Sequence, residues 1–175
     1  MILNIEDLYD KKLNIFKKII ISTEKKELKK LTISDFIFNK RKPIISGTGV
    51  YIFFKQKKAI YVGKCSSRSF IERIPSHFDI RSKSWFNTLL KRIENPNKLK
   101  KFNYKNILDK EAHKALDNYS ILLINFKKPN KEKCRQVEKI LNICLKPELN
   151  SLYKYQHYNL DDTKTLKENI EIARL

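Results

Sequence analysis

The stretch SGTGVYIFFKQKKAIYVGKC, residues 46–65, contains all three glycines of a 175-residue chain. A chain so poor in glycine has few places where the backbone can turn left-handed or where a second backbone can approach closely. Gly47, Gly49 and Gly63 flank two runs, GVYIFF at 49–54 and AIYV at 59–62, joined by the polar KQKK. Branched and aromatic runs bounded in this way predict a β-hairpin with a short turn. At each end of that hairpin a tyrosine, Tyr51 or Tyr61, stands two residues from a glycine.

The rest of the chain supplies what such a hairpin packs against. Residues 119–126, YSILLINF, form a nearly continuous apolar run, the pattern of a central strand buried on both faces. NKEKCRQVEKILNICL predicts a long helix from about Asn130 to Leu145, with Asn130 as its cap and Pro147 just past its end. SRSFIERIPSHF has helix-like spacing, and SWFNTLLKRIE, 84–94, puts Trp85, Leu89 and Ile93 on one stripe. Residues 2–21 place Ile5, Leu8, Leu13, Phe16, Ile19 and Ile20 at helical spacing, and a weaker helical stretch runs from Glu24 to about Leu31. LTISDFIFNKRKP reads either as a short helix or as extended chain, ended by Pro43. NPNKLKKFNYKN reads as a basic loop, and the tail holds a short helix starting near Asp161 or Asp162. The expected order is helical extension, β, β, α, α, β, α, tail. This is an α/β domain over 46–152, with a helical N-terminal extension (1–45) too short for its own core and a C-terminal tail (153–175).

Charge and composition narrow the function. A net charge of +19 implies an anionic partner, most simply nucleic acid. Lysine outnumbers arginine 31 to 7, so an AT-rich coding bias supplies part of that charge without functional meaning. No apolar run approaches the ~18 residues of a membrane span, and the N-terminus MILNIEDLYDKKLN is acidic where a secretory signal is basic. A cytoplasmic protein with no membrane partner is expected. Cys65, Cys134 and Cys144 are an odd set without a C-x-x-C pair, which predicts neither a disulfide framework nor a zinc site.

Gly49-Val50-Tyr51 and Tyr61-Val62-Gly63 resemble the paired triplets of the GIY-YIG nuclease family, with Val in place of Ile in both. Members of that family then carry an arginine on the first helix, often with a histidine four residues later. A glutamate follows on a later helix, and an asparagine just beyond it in a stretch like L-x-P-x-x-N. Here FIERIPSHF supplies Arg73 and His77, and VEKILNICLKPELN supplies Glu138 followed by Leu145-Lys146-Pro147-Glu148-Leu149-Asn150. The resemblance spans about 100 of the 175 residues. It implies a small three-stranded, mostly antiparallel sheet flanked by helices. It also implies a metal-dependent endonuclease that hydrolyses DNA phosphodiester bonds in a restriction-like, phage-defence or repair setting, with one Mg²⁺ or Mn²⁺ per site. The alternative is a non-cleaving nucleic-acid-binding module that keeps the fold.

The residue types suit that chemistry on physical grounds. Phosphodiester hydrolysis needs a positioned water, a proton acceptor, positive charge on the phosphate and a cation on the departing oxygen. Arg73 offers a planar fork of donors to phosphate. Glu138 lies on the border of its helix's apolar stripe, beside Val137 and Leu141, where a carboxylate needs a cation. The resemblance makes it the metal ligand. Tyr51 and Tyr61 have like parity on paired strands, so both phenols are expected on one side of the sheet, and which one handles the water stays open. Lys64 is placed to lower a phenol's pKa, and Asn150 to brace the site.

Two departures stand out: ten residues separate Gly63 from Arg73, and Pro75 interrupts the helix between Arg73 and His77. Arg68 is the alternative to Arg73. His113 and His157 are assigned no role. RSKSW at 81–85 and the loop holding Phe102 and Tyr104 are either DNA contacts or solvated surface. Cutting both strands with one site per chain implies a homodimer.

Overall fold

The computed structural model describes residues 2–44, 46–81, 87–93, 104–151 and 158–174, with backbone alone at 104–107. Trp85, Phe102 and His157, with most of the stretches named around them, lie outside the described residues. The chain opens with strand β1 (Ile2–Asn4), a 3-10 turn at Ile5–Asp7 and helix α1 (Leu13–Ser22). Strand β2 (Lys26–Glu27), a 3-10 turn at Leu28–Lys30 and helix α2 (Ser34–Ile37) lead into a tight hairpin of β3 (Phe38–Asn39) and β4 (Lys42–Pro43). The glycine-flanked hairpin is β5 (Gly49–Lys55) and β6 (Lys58–Cys65). Helix α3 (Phe70–Arg73), a 3-10 turn at Pro75–Phe78, α4 (Thr88–Ile93) and α5 (Tyr104–Asn118) precede β7 (Tyr119–Asn125). Helices α6 (Lys131–Leu145) and α7 (Leu166–Ile172) complete the chain.

The sheet is larger than expected. The three expected strands are there, with β5 antiparallel to both β6 and β7. However, the sheet has five strands, ordered β1-β7-β5-β6 with β2 also on β7, and β3–β4 forms a separate two-stranded sheet. It is mixed, because β1 runs parallel to β7 and β2 antiparallel. The extra strands come from the segment read as a helical extension. Residues 121–124 of β7 are wholly buried, so backbone groups on its second edge need partners. Ile2 opposite Leu123 and Lys26 opposite Ile121 provide them.

Periodicity therefore marked burial better than conformation in this segment. Ile5, Leu8, Leu13, Phe16 and Ile20 are all buried, yet the helix expected over 2–21 begins at Leu13. The stretch expected to be helical from Glu24 is β2 and a turn. Helix α5 occupies residues left unassigned or read as loop, and its signal was Leu108, Ala112 and Ala115, buried at helical spacing. Helix α6 follows expectation: the Asn130 side chain accepts from the Lys133 amide at 2.9 Å, and Lys146 ends the helix in left-handed backbone. Helix α7 starts later than expected, because Thr165 and Glu168 form its capping box while Asp161 is taken up by Thr163.

Alternate residues of the sheet build two cores. Val50, Ile52, Phe54, Val62, Leu122 and Ile124 pack against α1, α6 and α7. Tyr51, Phe53, Tyr61, Ile121 and Leu123 face α3 and α4, through Phe70, Ile74 and Leu89. No helix among the described residues is long and apolar enough to cross a membrane.

Candidate active site

A bulge decides that the two tyrosines meet. The hairpin turn closes Lys55 on Lys58. Continued without interruption, that register sets Tyr51 opposite Val62 and Tyr61 opposite Ile52, which puts the phenols on opposite faces. Instead the pairing shifts between Phe53 and Phe54, so that Phe53 opposes Tyr61 and Tyr51 opposes Gly63. Ile60 is the extra residue. The shift brings the two tyrosine rings to one face, 6.2 Å apart.

Both hairpin glycines make room. A Cβ on Gly63 would stand 2.3 Å from Tyr51 Oη and 2.4 Å from Cζ, so the Tyr51 ring lies across the strand where no side chain is tolerated. A Cβ on Gly49, at φ +151°, would stand 2.0 Å from the Ile124 carbonyl oxygen. That glycine lets β5 and β7 close together beside the site.

Pro75 does interrupt the helix, and the chain accommodates it. Helix α3 ends at Arg73, and Pro75 opens the 3-10 turn that carries His77, where its missing N–H costs nothing. His77 is wholly buried among the rings of Tyr51, Phe53 and Tyr61, at centroid distances of 5.5, 5.7 and 5.3 Å. Its Nε2 is 2.5 Å from Tyr51 Oη, and its Nδ1 faces Thr88 Oγ1 at 3.4 Å. Burial, followed by the Arg73 and Arg92 charges, pushes its pKa down to about 3. The ring is therefore neutral, and a proton on Nδ1 leaves Nε2 to accept from the Tyr51 hydroxyl. Burial, and next the neighbouring Tyr61, holds the Tyr51 phenol well above its usual range, with Arg73 pulling the other way. Tyr51 is a donor at neutral pH.

The charged groups reach this cluster from its margins. Half-buried Arg73 donates to Ser76 Oγ at 3.3 Å, and its charge acts on Tyr51, His77 and Cys65. Glu138 sits on α6, across the sheet from the tyrosines, yet its charge also reaches Tyr51. Its carboxylate forms an ion pair with Lys64. Lys64 opposes Val50 and thus belongs to the α6 face, where it meets the carboxylate rather than a phenol. The Asn150 side chain accepts from the Val62 amide at 2.9 Å and donates to the Val62 carbonyl at 2.8 Å. Together with the Leu149 amide on the Ile60 carbonyl at 2.8 Å, this closes the outer edge of β6 between Tyr61 and Gly63.

Sequence reading missed Arg92. Its guanidinium lies 5.4 Å from the Tyr61 ring centroid and donates to the Leu149 carbonyl at 2.9 Å. Helical spacing on α4 offered no reason to choose it over Lys91. The cysteines are structural: Cys65 and Cys134 are buried, Cys144 half-buried, and burial raises all three thiols.

Among the described residues no cluster of three or more His, Cys, Asp or Glu side chains forms. The carboxylate the motif offers a divalent cation is Glu138, 16% exposed and already facing Lys64. That donor suits Mg²⁺, which keeps most of its waters and takes further oxygens from a substrate phosphate. Comparison of the chain with family models, curated proteins and solved structures gave no match.

Proposed function

We propose that the protein is a metal-dependent endonuclease that hydrolyses DNA phosphodiester bonds, built on a GIY-YIG-like hairpin. One observation carries this reading. Tyr51 lies over Gly63, hydrogen-bonded to His77, where the charges of both Arg73 and Glu138 reach it. Gly63 and His77 touch this phenol, and the charges of Arg73 and of Glu138, the latter from across the sheet, act on it.

The division of labour follows from burial. Tyr51, wholly buried and tied to His77, shapes the site and orients its neighbours. Tyr61, 6% exposed and packed beneath Arg92, is the phenol that meets the attacking water. Arg73 binds the phosphate and offsets the charge that builds on it. Glu138 would hold a Mg²⁺ or Mn²⁺ ion in place of Lys64, and the cation would supply Lewis-acid stabilisation of the leaving oxygen. Asn150 keeps the backbone between Tyr61 and Gly63 in place. Cleavage of both strands requires two chains or two successive nicks.

A non-cleaving nucleic-acid-binding module is the second reading, favoured by the Lys64–Glu138 ion pair that already neutralises the carboxylate. Plasmid nicking with Mg²⁺ separates the two. Cleavage by the wild type, lost in Glu138→Ala and in Arg73→Ala, supports the nuclease. Binding without cleavage by the wild type supports the module.

A further inference from the structure

The β3–β4 hairpin turns on two residues, Lys40 and Arg41, both at positive φ, +49° and +68°. Such a turn ordinarily takes Asn-Gly, because side chains with a Cβ are strained there. This chain instead places two cations at the tip and a third, Lys42, beside them, all exposed. Among the described residues none of the three pairs with an acidic side chain. The nearest acid in the sequence, Asp35, is taken up by Lys26 at 2.7 Å. Strain kept at an exposed turn points to a use for the side chains it displays.

The hairpin is also firmly mounted on the candidate site. It extends from α2, whose Phe36 packs into the tyrosine-side core and which rests on α3, the helix that carries Arg73. The Ile44 amide donates to the Ile37 carbonyl at 2.7 Å, and the Phe70 amide to the Gly47 carbonyl at 2.8 Å. Beneath the hairpin lies a groove of about 320 Å³ whose lining is part apolar, with Ile2, Pro43 and Ile44, and part polar, with Asn4, Asn39 and Lys42 among others. This groove lies at the β1 side of the sheet, two strand spacings from the strand of Tyr51 and three from that of Tyr61, roughly 10 to 14 Å at ~4.8 Å per strand.

We propose that this hairpin is a duplex-gripping arm. Lys40, Arg41 and Lys42 bind phosphates of B-form DNA flanking the scissile bond. Charge selects the occupant: the three tip cations pair with no acidic side chain among the described residues, whereas the groove's Lys127 is held by Asp7, so the tip is what complements a polyphosphate strand. A membrane-inserting hairpin would carry its apolar side chains at the tip, whereas Ile33, Ile37 and Phe38 are exposed at the base. The proposal names the substrate grip of the nuclease reading and rests on it for the position of the scissile bond alone.

The test is Lys40→Asn/Arg41→Gly, which removes two charges and supplies the residues the turn prefers. Its thermal midpoint is expected to be unchanged or higher, while affinity for a random 30-base-pair duplex falls roughly tenfold or more and the log–log salt slope shrinks by about 1.8, near 0.9 per phosphate contact. Lys42→Gln, which leaves the turn intact, loses about fivefold. Lys18→Gln/Lys167→Gln, an equal charge loss on the opposite side of the sheet, loses markedly less than the arm variant. Arm variants that bind like the wild type, or like the opposite-side control, overturn the proposal, as does a wild type that ignores duplex DNA. Arm-dependent binding to phosphatidylserine vesicles with arm-independent DNA binding overturns it in favour of a lipid surface. Arm-dependent DNA binding by a wild type that never cleaves supports the grip and sinks the nuclease.

Discussion

The two faces of the sheet are drawn from the same three strands, yet they differ in kind. Behind β5, β6 and β7, against α1, α6 and α7, the buried side chains are mostly hydrocarbon: Val50, Ile52, Phe54, Val62, Leu122 and Ile124. In front, the same strands bury Tyr51 and Tyr61 and enclose His77. Burying an imidazole and a phenol costs free energy unless each satisfies the other, and the Tyr51–His77 hydrogen bond does this. The contrast is between a front that buries a hydrogen-bonded polar pair and a back of hydrocarbon, with the Lys64–Glu138 ion pair at the margin of the back.

Acid provides the largest test of the contrast. His77 titrates near 3 when folded and near its ordinary 6.5 when unfolded, so below pH 6.5 the unfolded chain takes up the proton first. Stability from this group is therefore complete above about pH 7 and is lost as pH falls from 6.5 toward 3, by about 5 kcal/mol at most. Urea titrations across that window measure the slope. His77→Phe flattens it if the front is built as described, and an unchanged slope would break the comparison.

Next come large changes on each face. Leu122→Ala, behind the sheet, is expected to cost about 3–4 kcal/mol through lost burial and a cavity, with nicking per folded molecule retained. Gly63→Ala, in front, is expected to cost about 2–3 kcal/mol by overpacking and also to abolish nicking, because Tyr51 must move. Equal losses of nicking in the two variants would mean that the faces are not functionally distinct.

The smallest stability effect belongs to the ion pair that joins them. With Lys64 35% exposed but Glu138 only 16%, Lys64→Met leaves the carboxylate without its partner and is expected to cost about 1–2 kcal/mol. The same variant leaves Glu138 free for a cation and so lowers the Mg²⁺ concentration needed for half-maximal nicking. A higher requirement would assign Lys64 to the phosphate instead.

Much of this was legible in residue order. The first hairpin strand, β7 and α6 with its Asn130 cap lie within a residue or two of expectation, and the second hairpin strand runs three residues further, to Cys65, because local propensity and tertiary packing agree there. Residues Ile2–Asn4 were misjudged for the opposite reason. Their spacing suits a helix, but the unfilled edge of β7, more than 100 residues away, recruits them as a strand. Arg92 was illegible because nothing local distinguishes a guanidinium that covers a tyrosine from one that faces water. The Asn150 clamp on Val62 was anticipated in kind through its place in the motif, though not in its partners.

What the residues alone determined is the inventory: a glycine-framed hairpin, two tyrosines, and the Arg, His, Glu and Asn that follow. Side-chain chemistry and local turn preference act over a few positions, and these can be read without coordinates. The tertiary structure decided whether the inventory meets. One extra residue at Ile60 turned Tyr61 to the face of Tyr51, and packing across the sheet brought Arg73 and Glu138 within electrostatic reach of the same phenol. Register and long-range contact arise from the summed packing of the whole chain, so no short window of sequence contains them.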